Sequence, residues 1–416
     1  MKNRLYNIVL VTLLAAALPL VSLAQVGKTQ FSRPTSSEGL NYFESTKADQ
    51  SPFEGLNIYW GAAFTQQFQA LSHENSGAVE LLEIGNGFNL ATANLNLGVQ
   101  LADGIQVNLI TYLSSRHHAE AWVKGGYLQV DKMEMLNSDA LNTLMEYVTI
   151  RAGHFEVNYG DAHFRRTDNG SALFNPFVGN LIMDSFATEI GAEVMVQKDG
   201  IFGLVAMTGG EIKGRVDRPD DRKASLIGKV GFDRQMNDDL RLRLAGGIYT
   251  TSKSISNTLY SGDRAGSRFY DVLVEGSGDD FRNGRVNPGF RSEVTAIQIN
   301  PFIKFQDFEL HGVYETATGA SASEEGTRTF DQLAVDAIYR LDNLYFGVRY
   351  NTVSGELSSG DDVTIDRMQV GAGWFLTPNV LLKAAYVSQS YSDYPAESIY
   401  DNGKFNGVTI EGVVAF

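Results

Sequence analysis

The chain contains no cysteine, which rules out disulfides, thiolate metal sites and thiol nucleophiles. Proline is scarce, nine in 416 residues. Beyond the amino terminus no stretch approaches the roughly 18 uninterrupted apolar residues of a membrane-crossing helix. Basic side chains are outnumbered, 34 Lys and Arg against 49 Asp and Glu, and the formal charge of −15 argues against nucleic acid as a partner. The six histidines (His73, His117, His118, His154, His163, His311) show no metal-ligand spacing, so no metal or cofactor is expected. No GxSxG motif or ordered Ser/His/Asp set stands out, and no enzyme activity is expected. What the chain does have is 42 Gly, 24 Phe and 18 Tyr, a composition suited to a turn-rich all-β protein.

Met1-Lys2-Asn3-Arg4 is a short basic start, followed by an apolar run from Ile8 to Leu23 that ends in small residues at Ser22 and Ala24. That pattern predicts a signal peptide over 1–24, cleaved before Gln25, rather than an anchor, for which the run is short. Losing Lys2 and Arg4 takes the charge from −15 to −17. Residues 25–54 are polar and aperiodic and read as a flexible periplasmic arm.

From Gly55 the period becomes two: Leu56, Ile58, Trp60, Ala62 and Phe64 alternate with Asn57, Tyr59, Gly61, Ala63 and Thr65. The pattern recurs over sixteen candidate strands, roughly 55–69, 88–101, 104–116, 119–131, 146–156, 186–197, 201–211, 223–234, 239–252, 292–305, 308–318, 330–340, 343–354, 363–375, 379–391 and 404–416. Most are about 10–14 residues, the length of a tilted membrane strand and twice that of an ordinary soluble one. Links after even-numbered strands are tight, as at Lys198-Asp199-Gly200; links after odd-numbered strands are mostly long, as at 157–185 and 253–291. The exceptions are the short His117-His118 link and 132–145, which has room for a helix over Leu136–Met145. The expected fold is therefore all-β, a transmembrane antiparallel barrel of about 16 strands over 55–416, with both termini in the periplasm. A soluble β-sandwich also alternates, but its loops show no such asymmetry. In the last strand Val408, Ile410, Val414 and the terminal Phe416 share a face, an ending that looks like the signal read by the barrel insertion machinery.

Charge decides which face looks inward. Arg241 and Arg243 alternate with Leu240, Leu242 and Leu244, and each arginine against lipid would cost up to about 2–4 kcal/mol near the midplane. The same parity turns Arg349 and Lys383 inward. It assigns eleven bases to the inner wall (Arg116, Lys124, Arg151, Lys229, Arg241, Arg243, Lys304, Arg340, Arg349, Arg367, Lys383) and eight acids (Glu120, Glu189, Glu193, Asp233, Glu309, Glu315, Asp336, Glu411). A wall of mixed sign implies a water-filled lumen.

The segment 157–185 is too long for a hairpin turn and carries Phe164, Phe174 and Phe177 among Gly, Asn and Asp. In a barrel, its aromatics would pack on the inner wall. As the third extracellular loop it would then narrow the pore and place Arg165, Arg166 and Asp161 at the waist, with Arg151, Arg241, Arg243, Glu189 and Glu193 as wall candidates for a selectivity filter. The alternative is that these arginines pair with Glu189, Glu193, Asp161, Asp168 or Asp184 and pin the loop.

The run RAGHFEVNYGDAHFRRTDNG, followed by NPFVGN and ATEIGAEV, resembles the phosphate-selective porin O/P family and related Gram-negative outer-membrane porins. The resemblance maps Arg151, Gly153 and Phe155 to the end of a strand and Tyr159-Gly160 to the start of an inward loop. It implies a porin in the outer membrane that passes small hydrophilic solutes or ions passively, leaning toward anions. Phosphate selectivity itself does not carry over, because the family's clustered lumenal Arg and Lys are represented here by only a modest excess. The implied partners are small hydrophilic solutes or anions, outer-membrane lipid, the insertion machinery during biogenesis and, as one assembly, two further copies in a homotrimer. The rival readings are a non-channel barrel serving as scaffold or partner of another envelope complex and, more remotely, an outer-membrane hydrolase.

Overall fold

The computed structural model of the chain describes residues 24–26, 28–49, 51–114, 121–168, 171–261, 268–276, 278 and 280–416. The expected signal peptide, apart from Ala24, lies outside them, as do Arg116, His117, His118 and Glu120. No helix among the described residues is long and apolar enough to cross a membrane.

Sixteen antiparallel strands form a closed barrel. They are β2 (Asn57–Glu74), β3 (Gly87–Ala102), β4 (Ile105–Ser114), β5 (Ala121–Val130), β6 (Val148–Glu156), β7 (Thr188–Lys198), β8 (Ile201–Thr208) and β9 (Ser225–Gln235). The circuit continues through β10 (Leu240–Thr251), β11 (Glu293–Phe305), β12 (Phe308–Ala320), β13 (Arg328–Leu341), β14 (Leu344–Glu356), β15 (Asp362–Thr377), β16 (Val380–Ser392) and β17 (Lys404–Ala415). A short β1 (Ala24–Val26) lies parallel to β2 at Ile58–Trp60. Closure runs from Lys404 opposite Glu74 to Ala415 opposite Ala63. It satisfies the backbone groups that an open edge would leave unpaired in lipid.

Alternation of side chains sets the two faces as expected. On β16 the outward Leu382 is 44% exposed while the adjacent Lys383 is 1% exposed. On β10 Leu244 and Ile248 face out, and Arg243, Ala245 and Tyr249 are buried in the lumen. Among the expected wall charges, every one that falls on a described residue is buried or half-buried.

Turn lengths also follow expectation. At the end holding the carboxyl terminus, β7 and β8 are joined by Asp199-Gly200, both at positive φ (50° and 75°), which is the two-residue turn that matches strand twist. The longer link after β5 holds the helix Asp139–Met145, with Ser138 as its N-cap. The long loops gather at the opposite end.

Two features fill the barrel beyond the expected third loop. Residues 28–49, expected as a flexible periplasmic arm, instead run inside the wall. The Gln30 amide donates to the Gln100 side chain (2.8 Å), Asn41 donates to Glu309 (2.5 Å), and Lys47 donates to the Asp131 carbonyl (2.8 Å). The expectation treated polar residues without periodicity as free chain; inside a polar lumen those side chains find partners. The loop between β10 and β11 also folds inward: its Arg268 carbonyl accepts from Gln67 and its Tyr270 amide donates to Gln69, both on β2.

Candidate functional site

The third extracellular loop, 157–187, does enter the lumen, and wall side chains fix its course at several described positions. Gly160 sits at φ +64° where a Cβ would collide with Gln298 of β11 and where the chain presses on Gly247 of β10. Glycine at this point lets the backbone cross close to the wall. The Asp161 amide then donates to the Gln298 and Asn300 side chains (3.1 and 2.9 Å). Further on, Lys383 of β16 donates to the carbonyls of Ala172, Asn175 and Phe177 (2.8, 2.8 and 2.9 Å). Phe177 is buried over Gly347 and Gly371, where a Cβ would crowd its ring at 3.1 Å. Gln369 donates to the Val178 carbonyl, Asn351 accepts from the Ile182 amide, and Gln332 both accepts from and donates to the Met183 backbone. The loop thus lines the wall from β16 back to β13, held by inward side chains that the strands supply at every second residue.

The eight candidate constriction residues do not form one filter. Asp161, Arg243 and Arg241 belong to one cluster at the meeting of loop, wall and arm. Arg243 makes a bidentate pair with Asp161 (2.8 and 2.7 Å) and ion pairs with Glu44 (2.8 Å) and Asp233 (3.2 Å). Lys229 reaches Glu44 at 2.7 Å and Asp161 at 2.8 Å, and Arg241 grips Asp233 with two bonds of 2.7 and 2.6 Å. Burial alone would raise the carboxyls of Asp161 and Glu44, but the Lys229 ammonium and the Arg243 guanidinium hold both below the usual carboxylate range.

Arg165 is directed elsewhere. Its guanidinium donates to Asn41 of the arm and lies 3.7 Å from Glu309, which Arg340 also pairs at 2.6 Å. Arg166 is tied to Asp184 within the loop (3.0 and 2.6 Å) and lies over the Phe186 ring at 3.9 Å. Arg151 donates to Gln129 (2.9 Å) and stands 3.5 Å from Glu193. Glu189 is apart from all of them, accepting from Tyr249 (2.7 Å) and Thr208. All five of these arginines have a carboxylate partner, since a charge confined in the lumen is costly without a counter-charge, but Arg165 and Arg241 take Glu309 and Asp233, which are not among the acids expected as partners.

Residues missed at the sequence level come chiefly from the arm: Arg33, Asn41 and Glu44. One signal was present. Phe31 and Phe43 punctuate an otherwise polar segment, and both are buried, at 3% and 4% exposure. No group of His, Asp or Glu among the described residues could hold a metal ion.

Between arm, loop and the β3–β7 wall remains a cavity of about 310 Å3. Arg33, Lys124, Arg151 and Arg166 line it, with Glu44, Glu156 and Asp168 as the acids. Wider openings of about 680 and 480 Å3 flank the arm at the end holding the tight turns.

No family model and no curated protein matches the chain. Solved structures do. The anion-selective porin from Comamonas acidovorans is similar at TM-score 0.53 and 11% identity over 87% of this chain and 100% of that one. The outer membrane channel DcaP of Acinetobacter baumannii gives 0.53 and 10% over 88% and 99%. The trimer form of OmpT, an outer membrane protein of Vibrio cholerae, gives 0.53 and 10% over 87% and 100%. At these identities the likeness concerns architecture, and the chain has the sixteen-stranded barrel fold of bacterial outer-membrane porins.

Proposed function

We propose that this chain is an outer-membrane channel through which small hydrophilic solutes diffuse passively, with a slight preference for anions. The observation that carries the reading is the inversion of polarity: an apolar outer face surrounds a lumen of charged and amide side chains, and the cavity left along β3–β7 is bounded by four bases and three acids. Such a surface belongs in lipid on the outside and in water within. In this reading residues 1–24 direct export and are removed, residues 25–54 supply the lumenal arm and residues 55–416 form the barrel. Arg151, Asp161, Arg165, Arg166, Glu189, Glu193, Arg241 and Arg243 hold the constriction in shape through their pairs rather than standing as bare charges. The resemblance to phosphate-selective porins extends to the inward loop, and phosphate is one anion among those to be tested. Association as a homotrimer accords with the trimer form known for OmpT of Vibrio cholerae.

The test is reconstitution of the purified protein in planar bilayers. Stepwise conductance with a reversal potential on the anion side supports the proposal, and a silent membrane removes it. A second reading, a sealed barrel acting as partner of another envelope component, draws on one observation: arm, third loop and the β10–β11 loop together occupy much of the lumen. Absence of conductance together with a co-purifying protein would favour it.

A further inference from the structure

Among the four bases that line the 310 Å3 cavity, three have carboxylates: Lys124 with Asp168, Arg151 with Glu193, and Arg166 with Asp184. Arg33 has none among the described residues. Its Nε donates to the Gly39 carbonyl (2.9 Å) and its Nη1 to the Phe164 carbonyl (3.0 Å), which fixes the plane of the guanidinium. Its Cζ lies 3.6 Å from the centroid of the Phe174 ring. Nη2 has no partner among the described residues. The acid acting on it is Glu156, and Glu156 is engaged by His163 at 2.7 Å. Burial, only partly offset by the Glu156 carboxylate, pushes the Arg33 guanidinium down to about 9. A cation held rigid, partly desolvated and without a direct carboxylate partner among the described residues is an arrangement that an anion completes.

The rest of the cavity narrows the kind of anion. Phe31, Phe43, Phe164, Phe174 and Tyr127 contribute to its walls. Its volume is at the lower end of the range for small-molecule pockets, and such pockets combine apolar walls with a few fixed polar groups. A monocarboxylate on a flat aromatic ring meets both demands, placing its charge on Nη2 and its ring among the aromatic side chains. A multiply charged inorganic oxyanion would find one free donor group and a greasy wall.

We infer that Arg33, carried by the amino-terminal arm, is the recognition group of a lumenal binding site for small aromatic monocarboxylates. The inference rests on the proposed channel only for its physiological meaning; the site itself is tested by binding. Full-length protein folded in detergent is titrated calorimetrically with benzoate, benzyl alcohol and inorganic phosphate, and its potassium chloride conductance is measured separately. Benzoate binds the wild type, benzyl alcohol and phosphate bind more weakly, and Arg33→Gln weakens benzoate about tenfold or more, the scale of one hydrogen bond to a charged group. Arg33→Lys keeps the charge but not the fork held by Gly39 and Phe164, and binds benzoate between the wild type and Arg33→Gln, which shows that charge is read. Benzoate bound equally by Arg33→Gln, an Arg33→Lys variant as weak as Arg33→Gln, or phosphate or benzyl alcohol bound as tightly as benzoate overturns the assignment. Benzoate binding with no conductance leaves the site standing and removes the channel; conductance with no benzoate binding does the reverse.

Discussion

Glu44 of the amino-terminal arm and Arg243 of β10 are joined by an ion pair of 2.8 Å inside the barrel, and Lys229 closes on the same carboxylate at 2.7 Å. Through them a segment with little regular structure beyond the 3-10 turn Ser37–Gly39 is bound to the wall, and Asp161 ties the third loop to the same two bases. The width of the lumen at this level is therefore set by three parts of the chain that are far apart in sequence.

Replacing Glu44 by Gln leaves Lys229 with Asp161 alone and Arg243 with Asp161 and Asp233. Breaking a buried pair in this way costs about 3–5 kcal/mol, enough to detach a segment of some twenty residues. The arm then becomes susceptible to protease while the barrel stays resistant, and single-channel conductance rises. Unchanged protection of the arm would show that Glu44 is not its anchor.

Acid should act on the same clamp, in a defined direction. Asp161 and Glu44 are both held below their ordinary values. Their stabilising contribution is complete above the unfolded values of about 3.9 and 4.3 and is lost as pH falls through the lower folded values. Arm protection and conductance should thus hold from neutral pH down to about pH 4 and change only below it. A transition centred near neutrality would assign the control to another group.

The double change Arg165→Glu with Arg166→Glu tests the loop. Because Arg165 faces Glu309 and Arg166 grips Asp184, reversal sets acid against acid at both places. The expected outcome is a displaced loop: larger conductance steps together with a reversal potential moved toward cations. A shift in selectivity at constant step size would mean that the two arginines act as bare charges in the path.

The outer face can be tested without touching the lumen. Val348 looks outward near the middle of β14, 43% exposed, between the inward Gly347 and Arg349. Val348→Arg places a charge in lipid and should lower folding stability in bilayers by about 2–4 kcal/mol. Ser388→Arg, nearer the loop end of β16, should cost about 1 kcal/mol or less. Equal and negligible losses at both positions would argue against a membrane around β14.

Much of this was legible in residue order. Period-two alternation placed all sixteen barrel strands within a few residues, and the parity of Arg241, Arg243, Arg349 and Lys383 turned the right face inward. Alternation is a local property, set by the backbone and by which neighbour is charged, so it survives without knowledge of the fold. The aromatic content of 157–187 likewise pointed to a surface for it to pack on.

The occupants of the lumen were another matter. Nothing within residues 28–49 announces that Asn41 will meet Glu309, or that Glu44 will meet Arg243. Nor does Arg165 itself show that it will turn to the arm while Arg166 turns to Asp184. These partners are hundreds of positions apart or compete with equally plausible ones, and only closure of the wall brings them within reach. The sequence by itself determined a barrel with its polarity reversed; the tertiary structure decided which charges neutralise one another inside and which guanidinium is left for a solute, because a confined charge is governed by its neighbours in space.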